Sequence, residues 1–267
     1  MKAGLGSSAG GAQADKPSKA LSGQHYGIDD PYEVMGLAGV AALSLVLGYL
    51  GVVFQGRLGG VMAFLGLLGG LIVGLVSAIF AFSLFWSSRS WKSSELERLG
   101  SSLPWGGDEL VLDAGCGRGP FSVIVAKKLS AGRVVCLDVW RKRDVSGNDP
   151  RWVIANAQAA GVGDRVLLVR ADPSHLPFPG GVFDAVVSGF AINHVRGSKA
   201  KESAVADAVR VLKGGGRLAF LVAGAAREAA RVLEKESLRD TETSAFRLGL
   251  FPPAQSFVAR KSFAKPA

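Results

Sequence analysis

The chain has almost no cysteine or histidine, and over two long stretches it has no charge at all. Two cysteines among 267 residues exclude a disulfide framework. With no C-x-x-C pair and three scattered histidines, no metal site is expected. A reducing compartment fits that scarcity. Cys136 lies in an apolar run and reads as a core residue, and Cys116, between glycines, reads as a small filler rather than a nucleophile. Residues 1–30 lack an apolar h-region, which excludes a secretory signal, and they lack Arg while carrying Asp15, Asp29 and Asp30, which disfavours a transit peptide. Rich in Gly, Ala, Ser and Lys, residues 1–33 read as a disordered tail.

The formal net charge is +9, yet a basic stripe interleaved with aromatics is missing. The one tight cluster, Arg141-Lys142-Arg143, reads as a solvated loop, so no nucleic-acid partner is expected. The basic excess falls wholly within residues 87–267, with 27 Lys and Arg against 18 Asp and Glu. Basic residues beside a membrane gain about 1 kcal/mol each from anionic lipid.

The charge-free stretches run over residues 34–54 and 58–86, separated only by Gln55-Gly56-Arg57. About 20 apolar residues cross a bilayer core of about 30 Å, so each run predicts a transmembrane helix, and together they predict a hairpin. Tyr32 before the first run and Trp86 and Trp91 after the second suit the membrane interfaces. Lys16 and Lys19 precede the hairpin, Arg89, Lys92 and Arg98 follow it, and the connection holds only Arg57. The positive-inside tendency then sets both termini and everything after residue 87 on the cytoplasmic side of a multi-pass protein. Gly66, Gly70 and Gly74 in the second run, with Ser44 and Gly48 in the first, permit close backbone approach. They either close the hairpin on itself or join two copies into a homo-oligomer. Residues 87–105 read as a juxtamembrane linker, which leaves 106–267 as one domain.

The chemistry begins at Val111-Leu112-Asp113-Ala114-Gly115-Cys116-Gly117-Arg118-Gly119-Pro120. An apolar run ending in an acid, a glycine turn and a proline suited to a first helical turn read as strand, turn and helix. A dinucleotide fingerprint wants a third glycine where this chain has Pro120, which weakens a nicotinamide reading. Downstream, Arg133–Asp138 reads as a second strand ending in an acid placed for ribose hydroxyls, and Val166–Arg170, followed by Ala171-Asp172, as a third. Asp149-Pro150 marks a helix start. Further helices are predicted near 200–212 and 225–238, and late strands near 244–250 and 256–261.

These segments, with Leu176-Pro177-Phe178-Pro179, Phe183-Asp184-Ala185-Val186-Val187-Ser188 and Arg210-Val211-Leu212-Lys213-Gly214-Gly215-Gly216, resemble in order the motifs of class I S-adenosylmethionine-dependent methyltransferases of the broad type 11 group. The resemblance spans residues 111–222. It implies an α/β fold, a doubly wound Rossmann-like sheet of seven strands with the last antiparallel, preceded here by the hairpin. It implies S-adenosylmethionine as cofactor, with Asp113, Gly115, Cys116, Gly117 and Gly119 at the first motif and Asp138 on the ribose. Trp140 would cover an adenine face, Asp172 would meet the adenine amino group, and Ser188, at the end of strand four, would also bind the cofactor. His194, in the loop after that strand, is the catalytic candidate. No Asn/Asp-Pro-Pro-aromatic segment follows strand four, as base-amino methyltransferases of this fold have, which again argues against DNA. The function expected is methyl transfer to a small-molecule or lipid acceptor from a membrane-anchored domain. The alternatives are a catalytically silent membrane scaffold and, less well supported, a nicotinamide-dependent oxidoreductase.

Overall fold

The computed structural model describes residues 26, 31–54, 59–86, 92–141, 144–223, 226–236, 238–246 and 253–263. Outside them lie the tail up to residue 25, the hairpin connection with Arg57, and Arg89, Trp91, Lys142 and Arg143.

Two long helices come first, α1 (Pro31–Val53) and α2 (Gly60–Trp86). Both are apolar around their full circumference and long enough, by length and composition, to cross a membrane. They pack against each other, and large side chains elsewhere on their surfaces, such as Leu71, Phe82 and Trp86, stay exposed. A core helix of a soluble domain would hide such residues, because burying each is worth about 1.5–3 kcal/mol.

Glycine sets how closely the two helices meet. A Cβ on Gly70 would stand 2.6 Å from the Ser44 carbonyl oxygen and 3.2 Å from Gly48 Cα, and one on Gly74 would stand 3.4 Å from the Ala41 carbonyl oxygen. The small-residue pattern therefore closes the hairpin on itself at Gly70 and Gly74, while no described residue comes within 4 Å of a Cβ on Gly66. Gly70→Val is expected to force the helices apart and lower the melting temperature of the detergent-solubilised protein, an overpacking cost of about 1–3 kcal/mol. Gly66→Val should leave that temperature unchanged.

The remaining elements are α3 (Lys92–Ser102), β1 (Leu110–Ala114), α4 (Pro120–Ala126), β2 (Arg133–Asp138), α5 (Pro150–Ala159), β3 (Val166–Arg170), β4 (Phe183–Gly189), α6 (Ser198–Val211), β5 (Leu212–Val222), α7 (Ala226–Lys235), β6 (Leu238–Thr243) and β7 (Gln255–Lys261). The strands form one sheet in the order β3-β2-β1-β4-β5-β7-β6. β1 to β5 are parallel, and β7 runs antiparallel between β5 and β6. This is the doubly wound seven-stranded sheet expected. Its central strands are near-continuous apolar runs because helices cover both faces.

On one face Leu96, Leu99, Phe121, Ile124 and Val153 bring α3, α4 and α5 onto the sheet. On the other, Val205, Val209, Ala229 and Leu233 of α6 and α7 pack over Phe183, Phe220 and Phe257. The stretch expected as a linker thus holds a helix docked on the domain. Gly100 of α3 accepts a close approach from Ile124, and the Trp105 indole N–H donates to the Gly100 carbonyl at 2.7 Å.

Asp149 caps α5 as expected, its carboxylate accepting from Arg151 N at 2.9 Å, with Pro150 in the first turn. The sixth strand is Leu238–Thr243 rather than 244–250; residues 244–246 have no regular structure and 247–250 lie outside the described residues.

Candidate active site

Parallel strands aim their carboxyl ends at one rim, and the order reverses between β1 and β4, because β1 leads to β2 on one side while β4 joins it on the other. A crevice opens above such a reversal. Here it is a cavity of about 240 Å³ lined by Gly115, Gly117, Asp138, Asp172, Phe190 and His194, among others.

The glycine turn forms its floor. Gly115 N and Cys116 N both donate to the Leu137 carbonyl, at 2.8 and 3.0 Å, which ties the end of β1 to the end of β2. Gly115, Gly117 and Gly119 all have positive φ. At Gly115 (φ +85°) a Cβ would fall 2.0 Å from the Ala191 Cβ, so the position needs glycine for both conformation and space. Cys116 is buried in the cavity wall; burial, together with the neighbouring Cys136 thiol, pushes its thiol well up, as suits a filler rather than a nucleophile.

Asp138 closes the end of β2. Its carboxylate accepts from Gly117 N at 2.8 Å and from Trp140 N at 2.6 Å. Burial raises its pKa, those two N–H groups pull it back down, and Asp144 adds to the rise. A carboxylate has about four lone-pair positions, so Asp138 retains acceptor capacity toward a pair of hydroxyls. Asp172 lines the same side. Partial burial pushes its pKa up, but the Ser174 hydroxyl at 2.7 Å, Ser174 N at 2.9 Å and Arg141 at 3.5 Å outweigh it and hold the group below the usual carboxylate range.

Four expected site residues stand outside the cavity lining: Gly119, where an added Cβ would meet Val153 at 3.1 Å, and Trp140, Ser188 and Asp113. Trp140 takes a left-handed backbone (φ +51°), and its indole N–H turns inward to the Gly117 carbonyl at 2.9 Å. The ring is buried and does not line the cavity; Val139 and Arg141 do. Ser188 spends its hydroxyl on the Ala114 carbonyl at 2.7 Å, a bond from β4 to β1 within the sheet. Asp113 is fully buried beneath the floor, accepting from the Ser122 hydroxyl at 2.5 Å.

Burial drives the Asp113 pKa from 3.8 up to about 7; the Ser122 bond opposes the rise and the Asp138 charge adds to it. In the native protein Asp113 therefore holds a proton that the unfolded chain has released, so stability is full below about pH 4 and declines as pH rises through about 7. The amplitude is up to about 4 kcal/mol. Melting temperatures taken from pH 4 to 8 should fall further for the native sequence than for Asp113→Asn.

Other residues of the site carried no sequence signal that pointed to it. Tyr26, within the expected disordered tail, packs against the core and lines the cavity. Arg118, buried, stacks its guanidinium 4.3 Å above Trp152 and donates to the Ser146 carbonyl at 3.1 Å. Asn148, also buried, donates to the Arg141 carbonyl at 3.2 Å. Around the cavity, the Tyr26 hydroxyl, Arg118 Nε and Asn148 Oδ1 are buried without a hydrogen-bond partner among the described residues. Each such group costs about 1–3 kcal/mol. Stranded donors and acceptors around one hollow fit a ligand that is itself both donor and acceptor, as a nucleoside joined to an amino acid is.

Comparison with known proteins agrees with that chemistry. Residues 112–220 match the family described as a methyltransferase domain. The demethylmenaquinone methyltransferase of Lactiplantibacillus plantarum is 37% identical over 114 residues, covering 42% of this chain and 44% of the relative. The 27-O-demethylrifamycin SV methyltransferase of Amycolatopsis mediterranei is 32% identical over 145 residues, covering 52% and 50%. The chain thus spans about half the length of these curated relatives. The crystal structure of geranyl diphosphate C-methyltransferase from Streptomyces coelicolor A3(2) superposes with a TM-score of 0.51 at 17% identity, over 64% of this chain and 79% of that one, and shares the fold.

Over residues 112–220 the chain is therefore similar to a methyltransferase domain, and the fold it shares with the geranyl diphosphate enzyme was solved there with S-adenosyl-L-homocysteine bound. Within that span, Asp138 and Asp172 line the cavity beside Gly115 and Gly117.

Proposed function

We propose that the chain is a membrane-anchored methyltransferase acting on a lipophilic small molecule presented at the bilayer surface. One observation carries the reading: the cavity wall includes residues just outside both ends of the apolar hairpin. Tyr26 precedes α1 by five residues, and Lys92 and Ser93 begin six residues after α2. At no more than about 3.6 Å of chain per residue, the cavity lies within about 20 Å of both hairpin ends. A hairpin embedded in lipid then holds the mouth of the site against the headgroups, and the basic excess of residues 87–267 adds attraction to anionic lipid. Both hairpin ends, and the domain with them, face the cytoplasm in this reading.

The cofactor supplies the activated methyl group. The chain's part is to orient the acceptor and exclude water. His194, at the end of the short helical turn Ala191–His194 on the cavity rim, takes a proton from an acceptor that must lose one. Asp138, Asp172 and the glycine floor hold the cofactor, and Asp113 supports the floor from below.

Two measurements test the halves separately. Calorimetry with S-adenosylhomocysteine should show binding; its absence would leave the silent scaffold. Alkaline carbonate extraction of broken cells should leave the chain in the membrane pellet; recovery in the supernatant would end the anchoring half. Lipid extracts incubated with protein and labelled donor should then yield a labelled acceptor.

A further inference from the structure

We propose that the Phe190 ring is a seat for a single cation, held by the Lys92 ammonium in this structure and taken by the donor's sulfonium on binding, so that the chain distinguishes the charged donor from its neutral product. The proposal rests on the methyltransferase reading and adds a residue that sets specificity in the same cavity. Phe190 follows directly on β4 with a left-handed backbone (φ +68°), a strained conformation for a bulky residue, and its N–H is fixed to the Leu221 carbonyl at 2.8 Å. Its ring and Lys92 both line the cavity, and Lys92 Nζ stands 4.7 Å from the ring centroid. An aromatic face at that range attracts a cation.

The topology leads the sulfonium toward that ring. In this reading Asp138, at the end of β2, takes the ribose, and the donor's sulfur is one carbon beyond the ribose ring. β1 lies between β2 and β4, and neighbouring strands are about 4.8 Å apart, so the ends of β2 and β4 are about 10 Å apart. The floor also touches the turn after β4, because a Cβ on Gly115 would fall 2.0 Å from the Cβ of Ala191, the residue next to Phe190. A donor laid from Asp138 across Gly117 and Gly115 therefore carries its charged centre toward Phe190. Burial is the main influence on the Asp113 pKa, and the Lys92 charge is felt there in opposition to it. A positive charge on the seat is thus favoured from beneath the floor.

Two cations do not share one ring face, because like charges at that range repel. Lys92 is the first residue of α3 and carries its ammonium on a flexible four-carbon stem, so its withdrawal needs no movement of the helix. Methyl transfer then removes the charge that displaced it. The acceptor's lone pair forms a bond to the methyl carbon, the carbon–sulfur bond breaks, and its electron pair stays on sulfur, which is left as a neutral thioether. Any proton on the attacking atom passes to a base, His194 in this reading. The neutral sulfur has no claim on the ring, and the ammonium returns.

The test is titration calorimetry on the full chain in neutral detergent with three ligands: S-adenosylmethionine, its cationic amine analogue sinefungin, and neutral S-adenosylhomocysteine. The two cationic ligands are expected to bind about threefold or more tightly than S-adenosylhomocysteine. Phe190→Leu should weaken both of them about three- to tenfold and leave S-adenosylhomocysteine within about twofold, whereas Phe190→Tyr, which keeps an aromatic face, should hold the native preference. Lys92→Met removes the competitor, so it should strengthen the cationic ligands about two- to fivefold in the native background and not together with Phe190→Leu, a coupling that independent sites would not show. Melting temperatures report whether each variant is folded; if Phe190→Leu is not, Phe190→Tyr and Lys92→Met decide. An equal loss of all three ligands in folded Phe190→Leu overturns the proposal and assigns the ring to packing of the nucleoside. Unchanged or weaker binding of the cationic ligands in Lys92→Met also overturns it, the weaker case assigning that ammonium to the carboxylate the ligands share. Failure of all three to bind the native chain would instead bring down the methyltransferase reading on which the proposal rests.

Discussion

Asp138→Ala is expected to abolish measurable binding of S-adenosylhomocysteine, a loss of at least about 100-fold. Two effects add. In the proposed site the carboxylate at the end of β2 accepts from a ribose, and it also receives Gly117 N and Trp140 N at 2.8 and 2.6 Å. Removing it strands both N–H groups, each at about 1–3 kcal/mol, and frees the glycine turn from the end of the strand. Asp138→Asn separates these effects. Its one carbonyl oxygen still receives one N–H, but its amide opposes the other, so the fold should be kept with weak binding. Titration calorimetry on both variants, with melting temperatures as a control for folding, decides the matter. An alanine variant that binds within a few-fold of the native protein would remove Asp138 from the cofactor site.

What was legible in the sequence was local. The Asp149-Pro150 helix start and the apolar runs of β1, β2 and β4 carry their instructions within a few residues, and the structure places each where expected. Parallel strands buried on both faces need no alternation, so an unbroken apolar run suffices to mark them. The sixth strand has no such mark: Arg239–Thr243 is exposed and polar, an edge held by pairing with β7. Nothing in its composition sets it apart from a loop.

The site was legible in its floor and not in its walls. The glycines and the strand-end acids follow from chain geometry at the ends of parallel strands. Trp140 does not, because its inward turn depends on a positive φ and on a carbonyl 23 positions earlier in the chain. Nor does the place of the Ser188 hydroxyl, which is satisfied across the sheet by the Ala114 carbonyl. Tyr26 is embedded in a polar, glycine-rich stretch whose composition reads as tail, and only tertiary packing brings its ring to the cavity. The hairpin glycines show the same division. Gly66, Gly70 and Gly74 share one spacing, but which of them meets the partner helix depends on where α1 comes close, and that is at Gly70 and Gly74.

Gly115→Ala is expected to remove cofactor binding and lower stability by about 2–5 kcal/mol, from a left-handed backbone cost of about 1–2 and an overpacking cost of about 1–3. The two contributions can be measured apart because the chain contains its own controls. Gly161 has a similar φ (+74°) at the end of α5 but, among the described residues, nothing within 4 Å of its would-be Cβ, so Gly161→Ala should pay only the backbone part and leave binding intact. At Gly115 the obstacle is the Ala191 Cβ at 2.0 Å, with the Ala191 Cα behind it at 3.4 Å. Deleting that methyl group in a Gly115→Ala, Ala191→Gly double variant therefore restores room for the new side chain. The double variant should regain most of the lost binding while keeping the backbone penalty, a coupling that independent sites would not show. If the double variant binds no better than Gly115→Ala alone, then conformation and not contact with the turn after β4 makes glycine necessary here, and the floor of the cavity is set by β1 and β2 without help from β4.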